Sequence, residues 1–492
     1  MTFSKLGRLM VWVALIAGLA CSKAGAPVRS AFGSSADALA GSESGSGGRA
    51  MARKEMVSFA PTTGKGEGGG MAPAGRVDEA VPPAAPSPMA AMELASEAAP
   101  PPPPGDRDME TAARMRMKAQ RQQSGQLTAG DWDDNLNLPF FLSYTDRFLG
   151  SARGYPHVTV SDRAIIVVRN EAGRPVPGAR VSVSSGERKL FSGVTASDGR
   201  VLFVPSLDGA EKVESLTVSV EPPADQPRSA PVRIAAPTQG SEWPVRLPNA
   251  EARRVTAMDL AFVVDTTGSM GDELEYLKAE IQGIADSVRR THGDVDLRLG
   301  LVLYRDQGDD YVTRKVDFTD LATFRTQLDQ QSAGGGGDMP EAMDEGLVAM
   351  NELSWRGGNV ARVAFLVADA PAHNENAKRF LQQADVARRR GVRLYTVAAS
   401  GVDDAAEFLM RQASQLTLAR YLFLTDDSGV GNAHAEPHIP CYQVQHLSKL
   451  MARTVRSELT GVREEARDVI RSVGQPLGDG VCRAANGVAY RY

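Results

Sequence analysis

The pattern of apolar and polar positions changes character along this chain. Leu9 to Leu19 is an apolar run that follows the basic residues Lys5 and Arg8. From Ser22 to Gly130 no period is legible. That stretch is rich in Ala, Gly and Pro, and its aromatics are Phe32 and Phe59. It cannot bury enough apolar area to offset chain entropy, which predicts a disordered tether over 22–130. The short apolar run Leu138 to Leu142 predicts a docking segment over 131–156. Between 157 and 248, β-branched runs alternate with turn residues. Val158–Ser161, Ala164–Arg169, Arg180–Ser184, Leu216–Val220 and Val232–Ile234 read as strands, and Ser197-Asp198-Gly199 reads as a turn between two more. Short strands with a turn about every ten residues predict a small all-β sandwich.

Beyond residue 255 the period lengthens. Met258 to Val264 is nearly continuous in apolar residues, as a parallel strand buried on both faces should be. A helical pattern follows from Met270 to Arg290. Leu297–Tyr304 and Val312–Phe318 read as strands, the second an antiparallel edge. Helical stretches at 320–331, 340–353, 375–390, 403–414 and 443–462 then alternate with strands at 360–368, 392–399 and 421–424. This alternation predicts an α/β fold, a doubly wound and mostly parallel sheet over 255–462. Its ligands should sit at the C-terminal strand ends near a switch point. Residues 463–492 remain as a C-terminal tail.

Charge narrows the function. With Lys+Arg 55 against Asp+Glu 60 in 492 residues, net charge is -5, which excludes a main role in coating nucleic acid. The apolar run at the N-terminus is too short to span a bilayer as a helix and suits the core of a signal peptide. Ala20-Cys21 follows it at once and resembles a bacterial lipobox, although Gly18 and Leu19 depart from the usual aliphatic and small residues. The resemblance implies a signal peptide over 1–21, a lipid on Cys21, and export to the cell envelope. Ser22 then implies an outer-membrane lipoprotein, periplasmic or surface-exposed; plain secretion is the alternative.

The strand at 258–264 runs into Asp265-Thr266-Thr267-Gly268-Ser269-Met270. Oxygen side chains at alternate positions of a strand-to-helix loop can converge on one point, and an Asp with two hydroxyls suits Mg²⁺ or Ca²⁺. The absence of Cys and His nearby argues against zinc. Two more loops at element ends carry Asp338, in Gly334 to Ala342, and Asp369, in Phe365 to His373. Together the loops resemble the von Willebrand factor type A domain and its metal-ion-dependent adhesion site, in the hemicentin-like branch. The resemblance implies a Rossmann-like fold and a divalent cation held by Asp265, Thr267, Ser269, Asp338 and Asp369. Mg²⁺ is the first choice, with Ca²⁺ or Mn²⁺ as alternatives. It also implies an unidentified protein ligand and no catalysis. With Asp338 in place of a Thr, three carboxylates surround the cation, which should hold it more firmly and weaken its pull on an acidic ligand. Asp338 would serve equally as an N-cap for the helix at Pro340. The stretch from Pro175 to Phe203 is similar to bacterial Ig-like and carboxypeptidase-regulatory-like modules, which implies a spacer.

Other polar residues carry open readings. Asp131, Asp133 and Asp134 suit Ca²⁺ or turn chemistry equally. Asp306, Asp309 and Asp310 read as a solvated loop, Glu341 as a first-turn helix charge, and Asp272, Glu273 and Glu275 as an exposed helix face. His373 reads as an exposed side chain. His434, His438 and Cys441 could bind zinc. With Cys21 lipidated, a Cys441–Cys482 disulfide is the natural alternative in an oxidising compartment. The chain thus reads as an exported, membrane-anchored protein that binds a protein partner. An envelope assembly or regulatory subunit is the alternative. A metal-dependent hydrolase has no support, since Gly-x-Ser-x-Gly, P-loop and His-Glu-x-x-His motifs are missing.

Overall fold

A computed structural model describes residues 126–492 apart from 228–229, 237–240, 252, 292, 338 and 430–433. The expectations for the signal peptide, Cys21, most of the tether and Asp338 lie outside the described residues.

In chain order, strand β1 (Thr128–Trp132) and helix α1 (Leu138–Ser151) precede a β module. The module comprises β2 (Ala164–Arg169), β3 (Arg180–Ser185), β4 (Arg188–Val194), β5 (Arg200–Phe203), the short α2 (Pro205–Asp208), β6 (Thr217–Glu221), β7 (Val232–Ala235) and β8 (Glu242–Arg246). Two sheets, β5-β2-β8 and β4-β3-β6-β7, face each other. Alternate residues such as Ile166, Val168, Val181, Val183, Phe203 and Val220 point between them into one core. Val158–Ser161 forms no strand. Its Val158 amide instead donates to Gln412 Oε1 at 2.9 Å, and Val160 is buried against the α/β part.

The α/β part continues with β9 (Ala257–Asp265), α3 (Gly271–Thr291), β10 (Asp296–Tyr304), β11 (Thr313–Thr319), α4 (Leu321–Asp329), α5 (Met343–Asn351) and β12 (Val360–Ala368). Then come α6 (Ala377–Arg389), β13 (Val392–Ala398), α7 (Asp404–Leu416), β14 (Tyr421–Thr425), β15 (Tyr442–His446) and α8 (Leu447–Thr460). The C-terminal segment adds β16 (Arg471–Val473), β17 (Gln475–Gly478), β18 (Val481–Arg483) and β19 (Ala489–Arg491). The main sheet runs β11-β10-β9-β12-β13-β14-β1-β15-β16, with β10, β9, β12, β13 and β14 parallel. The side-chain period of two sorts β9 and β12 between two cores. Ala261, Val263, Ala364 and Leu366 enter one with α5, α6 and α7. Phe262, Val264, Phe365 and Val367 enter the other with α3, α4 and α8. Both faces are covered, so these strands are apolar apart from Asp259 and Asp265 in β9 and Arg362 in β12.

Several element boundaries correct the sequence reading. Thr128–Trp132 falls partly in the expected tether and partly in the docking segment, yet it is an internal strand, antiparallel to both β14 and β15. The last helix is expected to start at Gln443, but Tyr442–His446 is a strand. The helix expected at Pro340 begins at Met343, with Ala342 as its N-cap. The tail at 463–492 extends the main sheet through β16 and forms a three-stranded sheet of its own. Cys482 in that sheet is bonded to Cys441.

The acidic run around Trp132 is neutralised by arginines. Asp131 binds Arg420 at 2.6 Å and Arg453 at 2.9 Å, Asp134 binds Arg411 at 2.7 Å, and Asp133 pairs with Arg463. Asp133 also accepts from the Asn135 and Leu136 amides, which is turn chemistry. Buried ion pairs also fix the β module. Arg388 forks onto Asp208 at 2.7 and 3.0 Å, and both side chains are almost wholly inaccessible. Arg393 reaches Asp198 at 2.6 Å. These pairs clamp the module to the α/β part.

Candidate metal centre

β9 ends at Asp265 between its parallel neighbours β10 and β12, and the chain turns through the short 3₁₀ segment Gly268–Met270 into α3. This turn brings the alternate oxygens together. The Thr267 amide and hydroxyl both donate to Asp265 Oδ1, at 2.9 and 2.7 Å, and the Thr267 and Ser269 hydroxyls lie 3.1 Å apart. Asp369 follows β12 on the neighbouring strand end.

The Gly-rich loop closes over this turn. Gly268 N donates to Gly335 O and Gly334 N to Thr266 O, both at 3.0 Å. Gly335 and Gly336 have φ of +73° and +66°. A Cβ on Gly335 would lie 2.4 Å from Asp309 Oδ1, and one on Gly336 would lie 3.0 Å from Glu341 Oε1. Glycine is therefore required twice over, by conformation and by space. Asp309 accepts from the Gly336 and Asp306 amides, and Asp306 is 2.7 Å from His373 Nε2. Asp306, Asp309 and His373, expected to be free in solvent, organise the loop. Asp310 is exposed, beside Arg305 at 3.7 Å.

Glu341 also departs from expectation. It lies before α5, is 2% exposed, and its amide donates to Pro371 O next to the Asp369 loop. Glu273 is likewise 2% exposed. It accepts from Ser400 and stands 3.2 Å from His434 Nε2, while His434 Nδ1 meets Asp426 at 2.8 Å. His438 Nδ1 meets Glu407 at 3.0 Å, and Cys441 is in the disulfide, so the residues of the expected zinc motif are engaged separately.

Three carboxylate oxygens at the centre are buried without a hydrogen-bond partner: Asp265 Oδ2, Asp369 Oδ1 and Glu341 Oε2. Their electrostatics are unfavourable. Burial, then the charge of Asp369, pushes Asp265 up to about 7. Burial raises Asp369 too; the Ser269 hydroxyl pulls it back and the Glu273 charge adds to the rise. Burial, then Asp265, Asp306 and Asp369, pushes Glu341 up to about 9. Such a cluster lacks positive charge. A hard cation would satisfy the bare oxygens and remove the repulsion, and the all-oxygen donor set fits one. Among the described residues, no three His, Cys, Asp or Glu side chains are grouped to hold a metal ion. A cation here would therefore depend on the Thr267 and Ser269 hydroxyls as well as on carboxylates.

Residues 259–433 match the family model of the von Willebrand factor type A domain. An alpha-protein kinase of Dictyostelium discoideum, vwkA, is 29% identical over 133 residues, which are 26% of this chain and 21% of the kinase. The chain thus spans about a fifth of that protein. Among solved structures, the vWF domain of the type V pili tip protein Mfa5 from Porphyromonas gingivalis is 12% identical. The match covers 44% of this chain and 99% of that one with a TM-score of 0.32. Proximal thread matrix protein 1 from the mussel byssus, with a zinc-occupied MIDAS motif, is 17% identical over 43% of this chain and 49% of its own, with a TM-score of 0.29.

Proposed function

We propose that the von Willebrand factor type A domain of this chain holds a divalent cation and uses it to bind a protein partner, without catalysis. The observation that supports this most directly is the set of bare, buried oxygens of Asp265, Asp369 and Glu341 around the Thr267 and Ser269 hydroxyl pair. Asp265, Thr267, Ser269 and Asp369 would hold the ion, with Asp338 joining from the Gly-rich loop. Glu341 would balance its charge. Mg²⁺ suits these ligands first, then Mn²⁺ or Ca²⁺. When bound, the ion supplies a Lewis-acidic point for an oxygen of the partner. Among the described residues no helix is long and apolar enough to cross a membrane. The reading of Cys21 as a lipid anchor at the outer membrane supplies the attachment in this proposal.

Calorimetric titration of Mg²⁺, Mn²⁺ and Ca²⁺ into the full chain tests the metal reading. One site is expected, absent in Asp265→Ala. Saturation to a hundred times the Kd should stabilise the fold by about 2.7 kcal/mol. Equal binding by wild type and variant would overturn the assignment. Capture of a defined envelope protein that is lost with chelator and in the variant would establish the partner role.

A further inference from the structure

Away from this centre, a cleft of about 390 Å³ opens between α3, α8 and the segment after α8. It is lined by donors. Arg290 comes from α3, Gln445 from β15, and Ser448, Lys449 and Arg453 from α8, while Arg467 faces them from the C-terminal segment. Its carboxylates are already engaged: Glu464 with Arg456 at 3.0 Å, Glu465 with Arg463 at 2.8 Å, and Asp468 with Lys449 at 2.9 Å. Among the described residues Arg290 and Arg467 have no ion pair, so the cleft carries two uncompensated positive charges.

Two deeper groups point to a ligand independently of that charge. Gln445 is 2% exposed and its Nε2 has no acceptor. Arg453 is 4% exposed; Asp131 occupies its Nη2, yet its Nε is bare. An unmet buried donor is costly, and an acceptor in the cleft would recover part of that cost. Ser448 and Lys449 sit in the first turn of α8, a helix whose N-terminus no side chain caps. That end favours an anion.

We propose that this cleft binds a small organic phosphate monoester. Two guanidinium forks, a carboxamide, a buried Nε and a helix N-terminus offer more donors than the two oxygens of a carboxylate accept, and suit the three terminal oxygens of a phosphate. The volume exceeds what inorganic phosphate fills and matches the lower range of small-molecule pockets.

The test is calorimetric titration of the full chain, chelator-treated and at low salt, with glucose 6-phosphate, inorganic phosphate and glucose as probes. Glucose 6-phosphate should bind, inorganic phosphate at least tenfold more weakly, and glucose undetectably. Exposed Arg290 and Arg467 can be reversed without disturbing the core, so Arg290→Glu with Arg467→Glu should weaken binding at least tenfold while circular dichroism stays unchanged. Gln445→Met should weaken it several-fold, and Arg246→Glu, on the β module, should leave it intact. Absence of sugar phosphate binding by the wild type, or unchanged affinity in the double variant, would overturn the site. Equal affinity for inorganic phosphate would overturn the ester assignment.

Discussion

Asp131→Asn keeps the size of the side chain and removes its charge. In the native fold that carboxylate joins β1 to Arg420, just ahead of β14, and to Arg453 on α8, at 2.6 and 2.9 Å; the three side chains are each less than 9% accessible. Without the carboxylate, two guanidinium groups stay buried with no counter-charge on this strand. Removing one partner of a buried ion pair costs about 3–5 kcal/mol, well above the ~1 kcal/mol ceiling of a surface pair. For a protein of this size, with a urea m-value of about 3 kcal/mol/M, the midpoint should fall by roughly 1 M or more. Adding Arg420→Met should restore part of the loss, because it removes one of the stranded charges. The pH dependence has a definite sign. Burial pushes Asp131 up, but Arg453 and Arg420 together hold it well below the usual carboxylate range. Its folded pKa is depressed, so its contribution is present above the ordinary value near 4 and is lost as pH falls below it. Wild type and variant should therefore differ by a constant amount from pH 5 to 8 and converge in acid. A loss under about 1 kcal/mol at pH 7 would show that the arginines find water, and that they do not hold β1 in the sheet.

Asp208→Asn leaves Arg388 paired only with Asp385 on its own helix, at 2.5 Å, and so removes its charged bridge to the β module. This should loosen the module and give a separate, lower-temperature transition by scanning calorimetry, and one unchanged transition would contradict the clamp. The Cys441–Cys482 bond closes a separation of 41 residues, so Cys441→Ser should cost about 4 kcal/mol by the loop-entropy relation, read as a urea midpoint against the oxidised wild type. The hydrogen bond from Glu407 raises His438, with burial opposing it. The folded pKa lies above the ordinary 6.5, so the pair stabilises most below that value and its contribution is lost as pH rises through the folded pKa. His438→Gln should flatten the melting-temperature profile between pH 6 and 8; parallel profiles would refute the linkage.

How much of this was legible in the chain depended on whether the burial was apolar. β9 and β12 stand out in sequence because both faces meet hydrophobic layers. β1 is invisible as a strand because Thr-Ala-Gly-Asp-Trp reads as polar and turn-like, and arginines 289 and 322 residues away make its carboxylate tolerable in the interior. β8 was hidden by Pro244, which an edge strand accepts. β15 reads as part of the last helix because no Gly or Pro occurs from Tyr442 to Thr460. At the centre, Asp265, Thr267 and Ser269 were readable from alternate spacing, and Asp369 from its place after a strand. Glu341 and Glu273 read in the sequence as helix-surface charges. Their burial comes from the Gly336 and Pro371 loops in one case and from Ser400 and His434 in the other, and local periodicity carries no trace of such partners.

The register of β1 has a practical consequence. Thr128 lies opposite Thr425, at the C-terminal end of β14, and Trp132 lies opposite Tyr421 at its start. The chain therefore enters the sheet at the edge where Asp265 and Asp369 end their strands. It finishes at the other edge, where the Arg491 amide donates to Asn137 Oδ1 at 3.0 Å. A partner docked at the proposed cation would share that side of the domain with Thr128. A label or surface attachment at Tyr492 leaves that side free, whereas the same group beside Thr128 would crowd it.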